Sequence, residues 1–333
     1  MESLHFTQAV ARIRVLETRL LNRSFMERMI DTGQLDQALK LLQDRGYSYR
    51  FSSPDLPEKV EAVLNEILAD TYREVDRLSP APKVTSMMGL KYDYHHLKTL
   101  MKSRLFNVGF EPLRLPLGTL SVDKMKHDLL LHDLRDFPPI MGAAIEEVQA
   151  KLAQSKDPLW IDLLLDRACC HHMAAVSQTF ESPLIDLFLQ RKTDIINLLN
   201  WMRCQAAEAG RELLQECWID GGVVDKGLLM KTFQEPLDSL LQQLVHTDYV
   251  PLLRRCCEAA DGAAPMTCVE QLGDAFAAAA LEPAKWISFG PEPLLAYLVA
   301  REREIQNLRL LLLGLQGHLE PRQIRERLRM PYA

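Results

Sequence analysis

The sequence predicts an all-α fold. Leu, Ala, Glu, Gln, Lys, Arg and Met dominate its 333 residues, whereas runs that alternate β-branched or aromatic residues with polar ones are hard to find. Apolar residues stand three and four positions apart between Ile13 and Leu21, with arginines between them. This is the period of a helix that buries one face, and no segment shows a comparable strand pattern.

Composition narrows the function classes. Hydrophobic residues make up 47% of the chain and charged residues 25%, as in globular proteins of two or three domains. The net charge of −6 argues against a nucleic-acid partner. No secretory signal is visible, and no apolar run approaches the roughly 18 residues that span a bilayer. Seven cysteines, an odd number, predict small buried thiols in a reducing cytoplasm.

One pattern recurs three times along the chain. Residues 183–198 and 293–308 align without gaps and share Pro, Leu, Arg, an acid, Ile, Asn and Leu. A weaker copy begins at Pro82 and reaches residues 93–97, again with the acid eleven residues after the proline. Each copy predicts one long helix with proline in its first turn, where the missing N–H costs nothing. Three long helices therefore organise the predicted fold.

The acids of the three copies, Asp93, Asp194 and Glu304, hold equivalent positions. A catalytic acid needs one special environment, whereas a scaffold acid is needed once per unit, so we interpret these carboxylates as structural. Arg191 and Arg301 stand three residues before the acid in the two later copies. We expect ion pairs with Asp194 and Glu304, each worth about 0.2–0.5 kcal/mol.

A second repeat predicts the domain organisation. Residues 122–124 and 224–226 are both Val-Asp-Lys. We expect that the chain begins partway into a unit and that the C-terminal segment 314–331 supplies the missing start. This predicts a closed three-part arrangement with the termini close together. The predicted helical domains are 1–110, completed by the C-terminal segment, 111–217 and 218–333.

Residues that could carry chemistry are sparse. Cys169, Cys170, His171 and His172 are metal-ligand types, but neighbours on a helix point about 100° apart, so the four cannot converge. Nucleophile elbows and glycine-rich phosphate loops are absent from the sequence. We predict no catalytic, cofactor or metal residue and no small-molecule substrate.

Two other functions stay open. One is an all-helical enzyme whose metal site uses the pair at 95–96 or the cluster at 169–172 with carboxylates such as Asp166 and Asp194. The other is a free-standing helical-repeat adaptor, against which the unit length of about 100 residues argues.

Four arginines near the C-terminus are the candidate partner-contact residues. They are Arg322, Arg325, Arg327 and Arg329. One interpretation is a solvated helix face whose arginines interact favourably with the negative end of the helix dipole. The other is a polar contact surface for an acidic partner, since arginine is favoured at interfaces.

Several segments together resemble the C subunit of the V-type/A-type rotary ATPases, the relative of the eukaryotic d subunit. They are residues 11–21 (ARIRVLETRLL), 91–98 (KYDYHHLK), 304–309 (EIQNLR) and 324–332 (IRERLRMPY). The resemblance implies three similar helical domains around a pseudo-threefold axis, forming a funnel.

The function implied by the resemblance is a non-catalytic rotor subunit without cofactors. Such a protein links the central stalk, made of the D and F subunits, to the membrane proteolipid (c/K) ring. It lies peripherally on the cytoplasmic face and transmits torque between ATP turnover and proton or sodium translocation.

Overall fold

The protein is represented by a computed structural model that describes residues 6–47, 56–80, 83–109, 115–208, 210–258 and 265–329. All regular structure in these ranges is helical, and they contain no strand, which confirms the all-α prediction. Pro82, where the weakest copy of the repeat begins, and residues 330–332 of the last family-like segment lie outside the described residues.

The described ranges contain sixteen α-helices and short 3₁₀ and π turns. The helices are α1 (Phe6–Glu17), α2 (Arg23–Asp31), α3 (Leu35–Leu42), α4 (Leu56–Leu78), α5 (Val84–Phe106), α6 (Val122–Leu131), α7 (Pro139–Ser155), α8 (Leu159–Ser177), α9 (Pro183–Ala206), α10 (Arg211–Cys217), α11 (Lys226–Lys231), α12 (Leu237–Gln243), α13 (Tyr249–Glu258), α14 (Pro265–Ala279), α15 (Glu292–Gln316) and α16 (Pro321–Arg327).

The predicted long helices are α5, α9 and α15. Proline opens two of them: Pro183 is the first residue of α9, and Pro293 is the second residue of α15. Ser182 caps α9 with its hydroxyl, which accepts a hydrogen bond from the Ile185 N–H. In α9 a proline after a capping residue therefore starts the helix where the repeat predicted, whereas α15 begins one residue before its proline.

The chain divides into two compact units. The first contains residues 1–85 and 282–333, and the second contains residues 86–281. The domain boundaries at 110 and 217 and the pseudo-threefold arrangement stay predictions.

The first unit is organised around α15. This helix packs against α1, α3 and α4, while α16 packs against both α15 and α2. The predicted apolar ridge of α15 is buried throughout its length, at Leu294, Leu298, Ile305, Leu308 and Leu312. Because these side chains recur at helical spacing, one face of α15 supplies much of the core of this unit.

The second unit is organised around α9. Its main neighbours are α8, α10 and α14, and two further helix pairs, α7 with α8 and α13 with α14, extend the packing. Phe188, Ile195, Leu198 and Met202 are buried as predicted, whereas Leu184 is only half-buried. In the first turn of α9 the fully buried side chain is that of Ile185, rather than that of Leu184 as the sequence repeat suggested.

Candidate functional site

Each long helix carries a buried carboxylate that accepts hydrogen bonds from the backbone of a distant segment. Three residues further along the same helix, an amide or imidazole side chain binds the backbone of another distant residue. We call each such arrangement a polar joint. The first joint contains Asp93 and His96, the second Asp194 and Asn197, and the third Glu304 and Asn307.

The carboxylate of the second joint has three donors. The Val223 N–H donates to Asp194 Oδ2 at 2.8 Å, and the Val224 N–H donates to Oδ1 at 3.1 Å. The Tyr249 hydroxyl also donates to Oδ2. Asp194 thereby fixes the chain just before α11 and the first residue of α13 onto α9.

The amide of the second joint binds a single residue's backbone twice. Asn197 Nδ2 donates to the Ile219 carbonyl oxygen at 2.8 Å, and the Ile219 N–H donates to Asn197 Oδ1 at 3.0 Å. Both residues are buried. Because an asparagine side chain offers both donors and an acceptor, it satisfies both backbone groups of that residue at once.

The first joint uses the same positions with different side chains. Asp93 Oδ1 accepts the N–H groups of Thr119 at 2.8 Å and Leu120 at 3.0 Å, and the Thr119 hydroxyl donates to Oδ2 at 2.6 Å. His96 Nε2 accepts the Leu115 N–H at 3.2 Å. Imidazole here reproduces the acceptor function that an asparagine oxygen has in the other joints.

The third joint joins two parts of the first unit that are far apart in sequence. Glu304 Oε2 accepts the Leu21 N–H at 2.7 Å, and Oε1 accepts the Tyr47 hydroxyl at 2.6 Å. Asn307 Nδ2 donates to the Arg329 carbonyl at 3.0 Å, and Asn307 Oδ1 accepts the Arg329 N–H at 2.9 Å. Segments near both ends of the described chain are therefore held on α15.

The helix caps establish how the joints correspond. Leu120, Val224 and Leu21 each donate to a joint carboxylate, and each directly precedes a helix N-cap. The caps are Ser121, Asp225 and Asn22. The sequence match between residues 122–124 and 224–226 is therefore wrong by two residues, because Val224 corresponds to Leu120.

At the first two joints, glycine is required where the backbone passes the carboxylate. A Cβ on Gly118, whose φ is +112°, would lie 2.5 Å from Asp93 Oδ1. A Cβ on Gly222 would overlap Asp194 Oδ1. A side chain at either position would push the peptide away from the acid, so the close N–H contacts depend on these glycines.

The predicted arginine pairs form in only one of the two cases. Arg301 binds Glu304 as predicted. The Arg191–Asp194 pair is wrong: Arg191 contacts Asp248 at 2.9 Å, and its guanidinium carbon lies 4.6 Å from the centroid of the Phe276 ring. Backbone donors and Tyr249 already occupy the oxygens of Asp194, which leaves Arg191 to bind elsewhere.

Burial sets the electrostatics of the first two joints. It raises the pKa of Asp93 and of Asp194 above the ordinary carboxyl range, although the hydrogen bonds to each acid act in the opposite direction. Burial also raises the pKa of Tyr249 and of Tyr47, so their hydroxyls keep the protons that they donate. The contacts of the first two joints thus rest on donors and acceptors, whereas at the third joint Glu304 also forms an ion pair with Arg301.

The histidine and cysteine cluster lies within the packing between α5 and its neighbours in the second unit. Cys169 is buried, and burial raises the pKa of its thiol. His172 Nδ1 lies 3.4 Å from the Tyr94 hydroxyl, and Asp166 pairs with Lys98 at 2.7 Å. Within the part of the chain that the structure describes, no three His, Cys, Asp or Glu side chains are arranged to hold a metal ion.

Two of the four candidate arginines make contacts with other segments of the first unit. Arg325 on α16 binds Glu27 at 2.9 Å and also binds Asp31, both on α2. Arg329 is held through its backbone by Asn307. These two arginines attach the C-terminal segment to the rest of the first unit.

The other two arginines face solvent. Arg322 is 88% exposed and pairs with Glu326, one turn away on the same helix. Arg327 is exposed at the end of α16. The structure thus separates the predicted contact set into a structural pair and an accessible pair.

Comparison with known proteins identifies the family. The model of the ATP synthase (C/AC39) subunit family matches residues 9–327. The chain belongs to this family. It resembles the C subunit of the V-type sodium ATPase of Enterococcus hirae, with 25% identity over 321 residues, 96% of this chain and 97% of that protein.

Other relatives with similar coverage or identity are also C subunits of ATPases or ATP synthases. The C subunit of the A-type ATP synthase of Methanocaldococcus jannaschii is 24% identical over 95% of this chain and 84% of that protein. The C subunit of the V-type ATP synthase of Thermus thermophilus is 23% identical over 61% of this chain and 64% of that protein. The family is that of an accessory ATPase subunit and not of the catalytic one, so this chain is a subunit of a membrane-associated ATPase complex. In the described ranges, no helix is both long enough and apolar enough to cross a membrane.

Replacing the joint asparagines tests whether the joints are equivalent. Asn197→Ala and Asn307→Ala each leave a backbone N–H and C=O without their partner, so each should lower the free energy of unfolding by about 1–3 kcal/mol. Urea denaturation followed by circular dichroism measures both. Asn200→Ala is the control. Among the described residues the Asn200 side chain makes one hydrogen bond, to the Cys217 carbonyl oxygen at 3.2 Å, so its removal should lower the free energy of unfolding by less. A large loss in one joint variant and none in the other would contradict equivalence.

Adding one methyl group tests the close approach at the second joint. Gly222→Ala should lower the free energy of unfolding by about 1–3 kcal/mol, because its Cβ would overlap Asp194 Oδ1. Gly109→Ala is the matched control, since nothing lies within 4 Å of a Cβ at that position. Thermal unfolding measures both variants. Equal melting temperatures for Gly222→Ala and the parent would show that the close approach does not contribute to stability.

The raised pKa of Asp194 predicts a pH dependence of stability. The folded protein holds this proton to higher pH than the unfolded chain, whose carboxyl has the ordinary pKa of 3.8. The contribution of Asp194 to stability is therefore greatest below 3.8 and is lost as the pH rises through the folded-state pKa. The stability gap between the parent and Asp194→Asn should widen as the pH falls from 7 to about 4.

Asp133 provides a control of opposite sign. A hydrogen bond from Arg135 lowers the pKa of Asp133 to about 2, so the gap for Asp133→Asn should narrow once the pH falls below about 4. Urea unfolding at several pH values measures both gaps. A gap for Asp194→Asn that stays constant or narrows would rule out the raised pKa.

Proposed function

We propose that this protein is a non-catalytic rotor part that links the central stalk, made of the D and F subunits, to the membrane proteolipid ring. It would lie on the cytoplasmic face and transmit torque between ATP turnover and the translocation of protons or sodium. The family match over residues 9–327 is the observation that supports this proposal most. The two partners themselves follow from the family resemblance, which also includes the eukaryotic d subunit.

The mechanical properties of the fold suit torque transmission. The three long helices contain 23, 24 and 25 residues. Each is attached by a polar joint to the segment before a shorter helix. The close-packed interior between the helices resists compression. Such a body deforms little when a partner turns it, and it needs no reactive side chain.

We propose that the polar joints mark three similar domains around a pseudo-threefold axis, forming the funnel that the family resemblance implies. Two joints belong to the second unit and one to the first. The alternative function, an all-helical enzyme with a metal site, predicts a stoichiometric metal ion in the purified protein. Metal analysis of the purified chain therefore separates the two functions.

Reconstitution tests the linkage directly. The ATPase complex is assembled with and without this protein, and the D–F pair and the proteolipid ring are then separated by size. The linker function predicts that the D–F pair stays on the ring only when the protein is present. Retention of the D–F pair on the ring in its absence would overturn the proposal.

The accessible arginines are the proposed polar contacts. The double variant Arg322→Glu, Arg327→Glu should weaken binding to one of the two partners by roughly three- to tenfold, since exposed charges contribute modestly and their reversal adds repulsion. The loss should be larger at low salt than at high salt. The affinities of the parent and of the double variant are measured for the isolated D–F pair and for the ring, at low and at high salt.

A matched variant controls for general charge effects. Arg135→Glu changes an arginine that is also 88% exposed but lies in the second unit, and it should leave both affinities unchanged. Equal affinities for the double variant and the parent, for both partners, would exclude these arginines as contacts.

A further inference from the structure

An exposed aromatic pair precedes α15 in the first unit. Trp286 ends the 3₁₀ turn Glu282–Trp286 and is 88% exposed, and Phe289 is 51% exposed. Tryptophan usually buries most of its surface, so an exposed tryptophan close to an exposed phenylalanine is a candidate binding surface. We call residues 285–289 the aromatic loop.

The aromatic loop is held in place from beneath. The Arg14 guanidinium donates to the carbonyl oxygens of Ala284 at 2.7 Å and Ile287 at 2.9 Å. Arg14 is itself paired with Glu17 at 2.8 Å, and Ala284 is buried. The backbone of the loop is thus fixed before any contact forms, which reduces the entropy lost on binding.

Residues that point inward are interspersed with residues that point outward along the loop. Ala284 is buried and Ile287 is half-buried, whereas Lys285, Trp286, Ser288 and Phe289 are exposed. The outward set combines two aromatic rings, one cation and one hydroxyl. Residues 283–291 contain no carboxylate, and Glu282, which is exposed, and Glu292 stand at the two ends of this stretch.

This combination matches the chemistry of the bilayer surface. Tryptophan is favoured at the headgroup level of membranes, where its ring lies in the apolar boundary and its N–H meets water. A neighbouring lysine suits phosphate groups, whereas carboxylates would oppose insertion. The projecting rings need no complementary cavity to enter a fluid lipid layer.

A second copy of the chain fits the loop less well. Two aromatic side chains bury at most about 300–500 Å², well below the roughly 1,200 Å² of a stable protein interface. A contact with lipid has no such threshold, because affinity grows with each buried apolar group.

We propose that the aromatic loop inserts Trp286 and Phe289 into the headgroup region of a phospholipid bilayer, with Lys285 beside the phosphates. A single small anchor of this kind binds weakly and reversibly. Attachment within a membrane-associated complex supplies the second contact and raises the effective concentration of lipid near the loop. A fluid bilayer also lets a bound protein turn, so the contact is compatible with rotation.

Vesicle binding by the full chain tests the proposal. Phosphatidylcholine vesicles, with and without phosphatidylglycerol, are titrated to about 1 mM accessible lipid, and bound protein is measured by flotation. The parent should float with the vesicles, and its tryptophan emission should shift to shorter wavelength and be quenched by brominated acyl chains. In Trp286→Phe the spectral change should vanish while flotation persists, because Trp201 and Trp218 are buried and Trp160 is half-buried.

Loss of the aromatic rings should weaken the binding. The double variant Trp286→Ala, Phe289→Ala should lower the partition coefficient by about tenfold or more. Leu131→Ala is the matched control, since Leu131 is 63% exposed in the other unit and its loss should leave flotation unchanged. Circular dichroism of each variant confirms that the fold is retained.

Three outcomes would overturn the lipid assignment. They are no flotation of the parent, equal partition of the parent and the double variant, and a Trp286-dependent contact with a detergent-solubilised ring in the absence of vesicle binding. The vesicle test contains no other component of the ATPase, so its failure leaves the proposed stalk-to-ring linkage untouched. Failure of the linkage would likewise leave the lipid result standing.

Discussion

Three buried carboxylates that accept backbone hydrogen bonds are the constraint on which the rest of this structure depends. Burying a charge without partners is costly, so Asp93, Asp194 and Glu304 hold their surroundings tightly. Each accepts at least one N–H from a residue that directly precedes a helix cap, and thereby fixes where the next helix begins. The long helices provide the frame, and these hydrogen bonds position the connecting segments on it.

The third joint also positions the candidate contact surface. Asn307 binds the backbone of Arg329, and α16 lies between this attachment and the end of α15. Arg325 then secures α16 to α2, which leaves Arg322 and Arg327 directed to solvent. The accessible arginines are therefore presented on a helix whose position is fixed at several points.

The sequence predicted the helical class, the long helices and the recurrence of their acids, because apolar spacing and side-chain repeats are visible in one dimension. It did not reveal what the acids bind, since backbone N–H groups have no side-chain signature. The Arg191–Asp194 pair failed for this reason. The signal that could have helped was glycine: Gly118 and Gly222 precede a cap by three residues, where the chain must pass close to an oxygen.

The candidate site was predicted only in part. The sequence placed four arginines in one C-terminal segment but could not tell which of them meet α2. That depends on two acids, Glu27 and Asp31, nearly 300 residues earlier in the chain. Likewise, nothing distinguished Trp286 in a sequence that contains four tryptophans. That Trp286 is exposed, on a loop whose backbone is fixed, could be recognised only once the packing of its neighbours was known.

The third joint has a consequence for biosynthesis. Residues 86–281 are contiguous, so their unit can become compact while the ribosome is still translating the remainder. Leu21 and Tyr47, in contrast, emerge early and find their acceptor on Glu304 only after almost the whole polypeptide has been made. The N-terminal helices therefore stay without their final packing partner during most of translation. The unit whose synthesis starts first is the last to be completed.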